Sequence, residues 1–150
     1  MLQKILNLFQ KTPDPVPVEE FVFPSGNASV TFPAGWQMIR DGKDKYACSF
    51  VQESIEGALY AFEMTNEKAD YQYDPQKSLE IAKDHAPELL AISDYGAVMY
   101  QRTSEGSELI FRHYEIGYRR TLLQFTWISR STDADYTSAI ESILQSVKID

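Results

Sequence analysis

The clearest pattern in the chain runs from Leu109 onward, where apolar residues recur first with a period of two and then at helical spacing. Leu123, Phe125 and Trp127 fall on one side of the run from Thr121 to Ser129, and Gln124 and Thr126 share the other with the less polar Leu122 and Ile128. This predicts a strand with one strongly apolar face. The preceding run from Glu108 to Tyr118 also alternates, with Ile110, Tyr114 and Ile116 on one side, and Arg119-Arg120 falls where the chain must reverse. A β-hairpin follows, although its turn lacks an Asn-Gly type of signal. Ser131-Thr132-Asp133 then offers cap candidates for a helix from Asp133 to Ser146, in which Tyr136, Ile140, Ile143, Leu144 and Val147 form the buried stripe. A short last strand closes the chain.

Upstream, Leu2, Ile5, Leu6 and Phe9 sit at i, i+3, i+4 and i+7, the spacing of a short helix with one apolar stripe. Such a helix is marginal alone in water, so the stripe must either lie back on its own domain or dock on a partner or second subunit. Thr12 to Pro17 carries three prolines in six residues and reads as an extended connector. Residues 1–17 are therefore expected to be a short helix and Pro-rich connector, and residues 18–150 a single domain. Strands are expected at Phe21 to Phe23, Ser29 to Phe32, Tyr46 to Gln52 and Ala58 to Met64, with Pro33-Ala34-Gly35-Trp36 as a turn and aromatic anchor. Asp74-Pro75 starts a helix whose buried stripe is Leu79, Ala82 and Ala86. Pro87 ends it, leaving Glu88 to Ile92 as a short turn or irregular segment before a strand from Gly96 to Thr103. Strands joined mainly by turns imply an α+β fold, a mostly antiparallel sheet packed with helices.

The phrase Val30-Thr31-Phe32-Pro33-Ala34-Gly35-Trp36, the mid-chain helix, the Leu-rich hairpin and the ending Tyr136 to Ile149 together resemble the PsbP-like fold over roughly residues 20 to 150. Photosystem II extrinsic proteins, Ran-binding nucleotide-release proteins, bacterial DcrB-like proteins and type VI secretion effector chaperones share that fold. The resemblance implies an antiparallel sheet with helices against it. It transfers no reactive group.

Composition narrows the function classes. At 150 residues and 43% hydrophobic, the chain suffices for one domain and its core. The formal charge of −8 is concentrated in residues 51–100, where three Lys face ten Asp or Glu. An acidic middle argues against nucleic acid and anionic membranes as partners. The apolar start is interrupted by Gln3, Lys4 and Asn7 and is expected to be neither a signal peptide nor a membrane span.

Chemistry is sparse. One cysteine, Cys48, excludes an internal disulfide and reads as a buried small hydrophobe. His85 and His113 have no partner at metal-ligand spacing, so no metal site is expected. His113 reads as a sheet residue, and His85 as one favoured near a helix end. Glu63, Glu67, Asp70, Asp74, Glu80, Asp84 and Glu88 lack the spacing of a calcium loop and read as a solvated face. No nucleophile elbow, phosphate loop or dinucleotide fingerprint occurs, so no catalytic residue and no cofactor is named. Tyr71, Tyr73, Tyr95, Tyr100 and Tyr118 stand outside the expected core stripes, the last beside Arg119 and Arg120, and Tyr and Arg are favoured at protein interfaces.

The expectation is a cytoplasmic, bacterial, non-enzymatic protein-binding module, an adapter or secretion chaperone. Its partner would be another protein, a secreted effector or toxin, or a second copy in a homodimer. The partner-binding candidates are Leu2, Ile5, Leu6, Phe9, Tyr118, Arg119 and Arg120. The rival readings are a small-molecule-binding or hydrolytic domain with a pocket between sheet and helix, and an immunity-type toxin inhibitor.

Overall fold

The computed structural model describes residues 14–40 and 46–150. In chain order its elements are β1 (Val16–Pro17), β2 (Glu20–Val22), β3 (Ala28–Thr31), β4 (Trp36–Arg40), β5 (Ala47–Gln52), β6 (Ile55–Thr65) and α1 (Pro75–Ile81). A 3-10 turn, Lys83–His85, leads to β7 (Glu88–Leu90), β8 (Ala97–Thr103), β9 (Leu109–Tyr118), β10 (Thr121–Arg130), α2 (Thr137–Leu144) and β11 (Lys148–Ile149). Eight strands form one sheet in the order β1-β4-β5-β6-β10-β9-β8-β7, and β11-β3-β2 form a second. Every pairing among the described residues is antiparallel. The α+β reading holds: among the described residues, a mostly antiparallel sheet carries two α-helices.

β10 lies inside the large sheet between β6 and β9, in register from Thr121 opposite Tyr118 to Arg130 opposite Leu109. Its odd residues Leu123, Phe125 and Trp127 are buried, as the alternation required. On β9, Tyr114 and Ile116 are fully buried on the same face. Helix α2 supplies Ile140, Ile143 and Leu144 to this core, with Val147 just beyond it. The small sheet closes the rest through aromatic contacts. Phe32 stacks on Phe50 at 4.4 Å, Phe21 meets Phe50 edge-on at 5.2 Å, and Phe23 meets Phe125 at 6.0 Å. Such geometry adds about 0.5–1.5 kcal/mol per pair beyond area burial.

Gly57 permits the close approach of β6 to β10. Its φ is +132°, and a Cβ there would lie 2.6 Å from the Trp127 ring and 2.8 Å from the Ile128 carbonyl oxygen. Only glycine combines that backbone with that space.

Several expectations are corrected. Trp36 begins strand β4 instead of merely anchoring a turn, pairing from Trp36 opposite Gln52 to Arg40 opposite Cys48. The expected connector ends in the sheet: Val16 and Pro17 pair with Met38 and Gln37 at its edge, where a proline is tolerated. Glu88–Leu90 forms an edge strand on β8. Helix α2 starts at Thr137, four residues later than expected. The Asp133 carboxylate is taken by Arg130, whose backbone N–H and Nε donate to it at 2.8 and 3.1 Å, so it caps a turn and not the helix. On α1 the buried stripe is Ser78 leading to Ala82. Leu79 is half-buried, and Ala86 is exposed at φ 48°, bent out of the helix immediately before Pro87. Among the described residues no helix is long and apolar enough to cross a membrane.

Candidate functional site

The segment from Tyr73 to His85 lies over β8 and β9 on the face opposite α2. The Asp74 carboxylate accepts the Gln76 N–H at 3.0 Å and Pro75 occupies the first helical position, so α1 starts as the sequence suggests. Tyr73 holds it down. Its N–H donates to the Arg119 carbonyl at 2.9 Å, its ring covers Gly117, and its hydroxyl pairs with Ser78 Oγ at 3.1 Å. Between this segment and the sheet remains a cleft of about 240 Å³ lined by Ser78, Ile81, Ala82, His85, Tyr100, Arg102 and Glu115.

The floor of the cleft is a row of rings. His85 stacks on Tyr100 at 5.9 Å, and Tyr100 on His113 at 4.8 Å. Arg102 Nε donates to His113 Nε2 at 3.0 Å, so the neutral imidazole carries its proton on Nδ1 and gives it to Thr126 Oγ1 at 2.9 Å. Burial above all, then the positive charge of Arg102 and the proximity of His85, lowers His113 to about 4. The residue read from sequence as an ordinary sheet histidine is thus the neutral acceptor that orients Arg102. Burial, followed by Glu115, raises the Tyr100 phenol, with Arg102 opposing. Burial also raises Tyr73, against its bond to Ser78.

This arrangement suits holding a ligand better than attacking one. Ser78 Oγ is engaged by Tyr73, and both ring nitrogens of His113 are occupied. Arg102 and Glu115 line the same cleft, yet among the described residues neither forms an ion pair with the other or with any group. Cys48 is buried, with its thiol pushed up to about 11 by burial and only partly offset by Arg40, as expected of a packing residue. Among the described residues no cluster of three His, Cys, Asp or Glu could hold a metal ion.

Two further cavities have their charges satisfied from within. One of about 240 Å³ at the start of α2 is lined by Arg112, Arg130 and Asp133. There Arg130 pairs with Glu56 at 2.6 Å and Asp133 at 3.1 Å, while Arg112 Nε donates to the Tyr114 hydroxyl, which donates to Glu141, each at 2.8 Å. The other, of about 610 Å³, includes Ser25, Phe62, Glu63 and Met64. The buried Glu63 carboxylate there accepts the Ser25 N–H at 3.1 Å and hydroxyl at 2.5 Å.

Of the partner-binding candidates, Leu2, Ile5, Leu6 and Phe9 lie outside the described residues. Tyr118, Arg119 and Arg120 form the end of the β9–β10 hairpin. Tyr118 is 37% exposed, its ring is 5.4 Å from Tyr95, and Arg119 lies 5.0 Å above it. Arg120 donates to the carbonyls of Asn66 at 2.8 Å and Glu67 at 3.1 Å, holding a loop. By strand parity Tyr118 projects with Tyr114 and Ile116, away from the face carrying Glu115 and the cleft. The sequence reading missed two apolar residues on the cleft side: Ile81, 86% exposed at the cleft rim, and Leu89, 55% exposed on edge strand β7. Ile81 could have been noticed as an apolar residue off the Ser78–Ala82 stripe.

No family model and no curated protein matches the chain. Solved structures that resemble it include two at 13% identity. One is a crystal structure from Bacteroides thetaiotaomicron VPI-5482, with TM-score 0.69 and 13% identity, covering 90% of this chain and 49% of that one. The other is LpqN of Mycobacterium tuberculosis, described as involved in cell envelope biogenesis, with TM-score 0.50 and 13% identity over 97% of this chain and 96% of that one. The chain spans about half the length of the Bacteroides protein. At this identity the likeness is one of fold.

Proposed function

We propose that the chain is a non-enzymatic protein-binding module that docks its partner on the β7 side of the sheet. The observation that carries this reading is the exposed pair Ile81, at the end of α1, and Leu89, within the three-residue edge strand β7, both in the most acidic third of the sequence. An isoleucine left 86% in water gains nothing from folding, so its burial is free to drive association. The acidic side chains Glu80 and Asp84, close to Ile81 in sequence, favour a partner with an apolar contact and a basic rim. An adapter or a chaperone for a secreted effector or toxin fits this chemistry. The PsbP-like assignment belongs to the same proposal. Its support is the Pro33 to Trp36 turn, which leads into β4 and sets Trp36 against Phe32 at 5.6 Å, and the last helix followed by a short strand.

The test is retention of a partner from the native host in fixed stoichiometry. Ile81→Asp with Leu89→Ser should weaken retention at least tenfold and leave the melting temperature nearly unchanged, because exposed substitutions rarely shift stability beyond about 0.5 kcal/mol. Tyr118→Ala with Arg119→Ala should bind as wild type does. Full retention by the first pair, or loss with the second, would move the interface elsewhere.

A further inference from the structure

We propose that the cleft between α1 and strands β8 and β9 binds a small zwitterion of amino-acid or dipeptide size, its carboxylate on Arg102 and its ammonium group on Glu115. The site adjoins the protein-docking surface, with Ile81 bordering both, and its binding rests on other residues.

Arg102 is the anchor of the site. Its Nε is committed to His113, and its guanidinium lies 5.8 Å from the Phe111 ring, so two features fix its orientation. The remaining N–H groups form a fork with no carboxylate of the protein within ion-pair distance among the described residues. A fork so placed is matched by a carboxylate, which takes two parallel hydrogen bonds. His113 cannot compete for that anion, because it faces Arg102 as an acceptor.

Glu115 supplies the second charge. It pairs across the strands with Val98, four residues before Arg102, so the two backbones are separated by about 13 Å along the strand. Long side chains close part of that distance, yet no ion pair forms between them. Tyr100 lies between the two on β8, with His85 stacked upon it, and gives an aromatic wall against which an ammonium group is also favoured. A lone anion would satisfy Arg102 and leave Glu115 against it, and a lone cation would do the reverse. A molecule bearing both charges at the ends of a short spacer satisfies both, and a cleft of about 240 Å³ limits it to a small one.

The experiment is an NMR titration of the full chain with glycine, β-alanine, 4-aminobutyrate, 5-aminopentanoate, 6-aminohexanoate and glycylglycine. Each is repeated with its amine acetylated or its carboxylate esterified. Saturable shifts at Ser78, His85 and Tyr100, an affinity optimum at one spacer length, and at least tenfold weaker binding when either end is blocked are expected. Arg102→Gln and Glu115→Gln should each weaken binding at least tenfold, and Glu115→Gln should abolish the preference for the free amine over the acetylated form. Arg119→Gln, outside the cleft, should bind as wild type does. Melting curves establish that both cleft variants remain folded. No saturable shift at millimolar ligand, equal binding along the series, or indifference to blocking the ends would overturn the proposal.

Discussion

Replacing Gly117 by alanine should loosen the whole segment that covers the cleft. A Cβ at this position falls within 2.7 Å of three atoms of the Tyr73 ring, an overlap that no shift of a few tenths of an ångström relieves. The ring must leave. It is half-buried, so its departure forfeits roughly 1–1.5 kcal/mol, half of what full burial of a large side chain is worth. The hydrogen bond between its hydroxyl and Ser78 Oγ contributes about 1 kcal/mol more. Alanine returns about 0.4–1 kcal/mol by restricting the unfolded chain. The net loss is therefore about 1.5 kcal/mol, or roughly 3–6 °C in melting temperature for a domain of this size. Urea titrations of Gly117→Ala, Tyr73→Ala and the double variant measure it. In the Tyr73→Ala background the alanine should become neutral or stabilising, since nothing is left for it to strike. A neutral Gly117→Ala in the wild-type chain, or the same cost in both backgrounds, would refute the reasoning.

Trp127→Ala should cost about 3–5 kcal/mol in urea unfolding, because the ring is buried and fills the space that Gly57 leaves open; wild-type stability would mean the ring lies on the wrong face. The depressed basicity of His113 makes stability depend on pH. The folded state holds fewer protons on this ring than the unfolded state between about 4 and 6.5, so its contribution is complete above 6.5 and falls as pH drops toward 4. His113→Gln should flatten the dependence of unfolding free energy on pH between 6.5 and 5, and an unchanged slope would place the titration in another group.

The parts of this molecule that could be read from the sequence are those written in one continuous stretch. The parity of Leu123, Phe125 and Trp127 located the sheet interior, and the spacing of Ile140, Ile143 and Leu144 located the helix that covers it. Strand β4 was missed because Trp36 and Ile39 are both buried although they project to opposite faces, which removes the alternation that marks a half-buried strand. The start of α2 was misplaced because Asp133 had a stronger local partner in Arg130 than the helix amides. The cleft was illegible for a different reason. Tyr100, Arg102 and Glu115 look unrelated in sequence, and only the register of β8 against β9 sets them on one face. His113 drew notice alone, but its role depends on Arg102, eleven residues away on the neighbouring strand.

The second sheet joins residues far apart in the order of synthesis. β11 pairs Lys148 with Ser29 and Ile149 with Ala28, the Asp150 N–H donates to the Asn27 carbonyl, and Ser146 Oγ bonds both the N–H and the carbonyl of Thr31. Strands β2 and β3, carrying Phe21, Phe23 and Val30, are synthesised well before β11, and they have no complete sheet to join until residues 146–150 follow. During translation those aromatic residues must wait, exposed or held by a chaperone, for well over a hundred residues. Strand β11 is thus the late-arriving part of this sheet: a chain stalled before residue 146 would lack its third strand, and would leave Phe21, Phe23 and Val30 to the quality-control machinery of the cell.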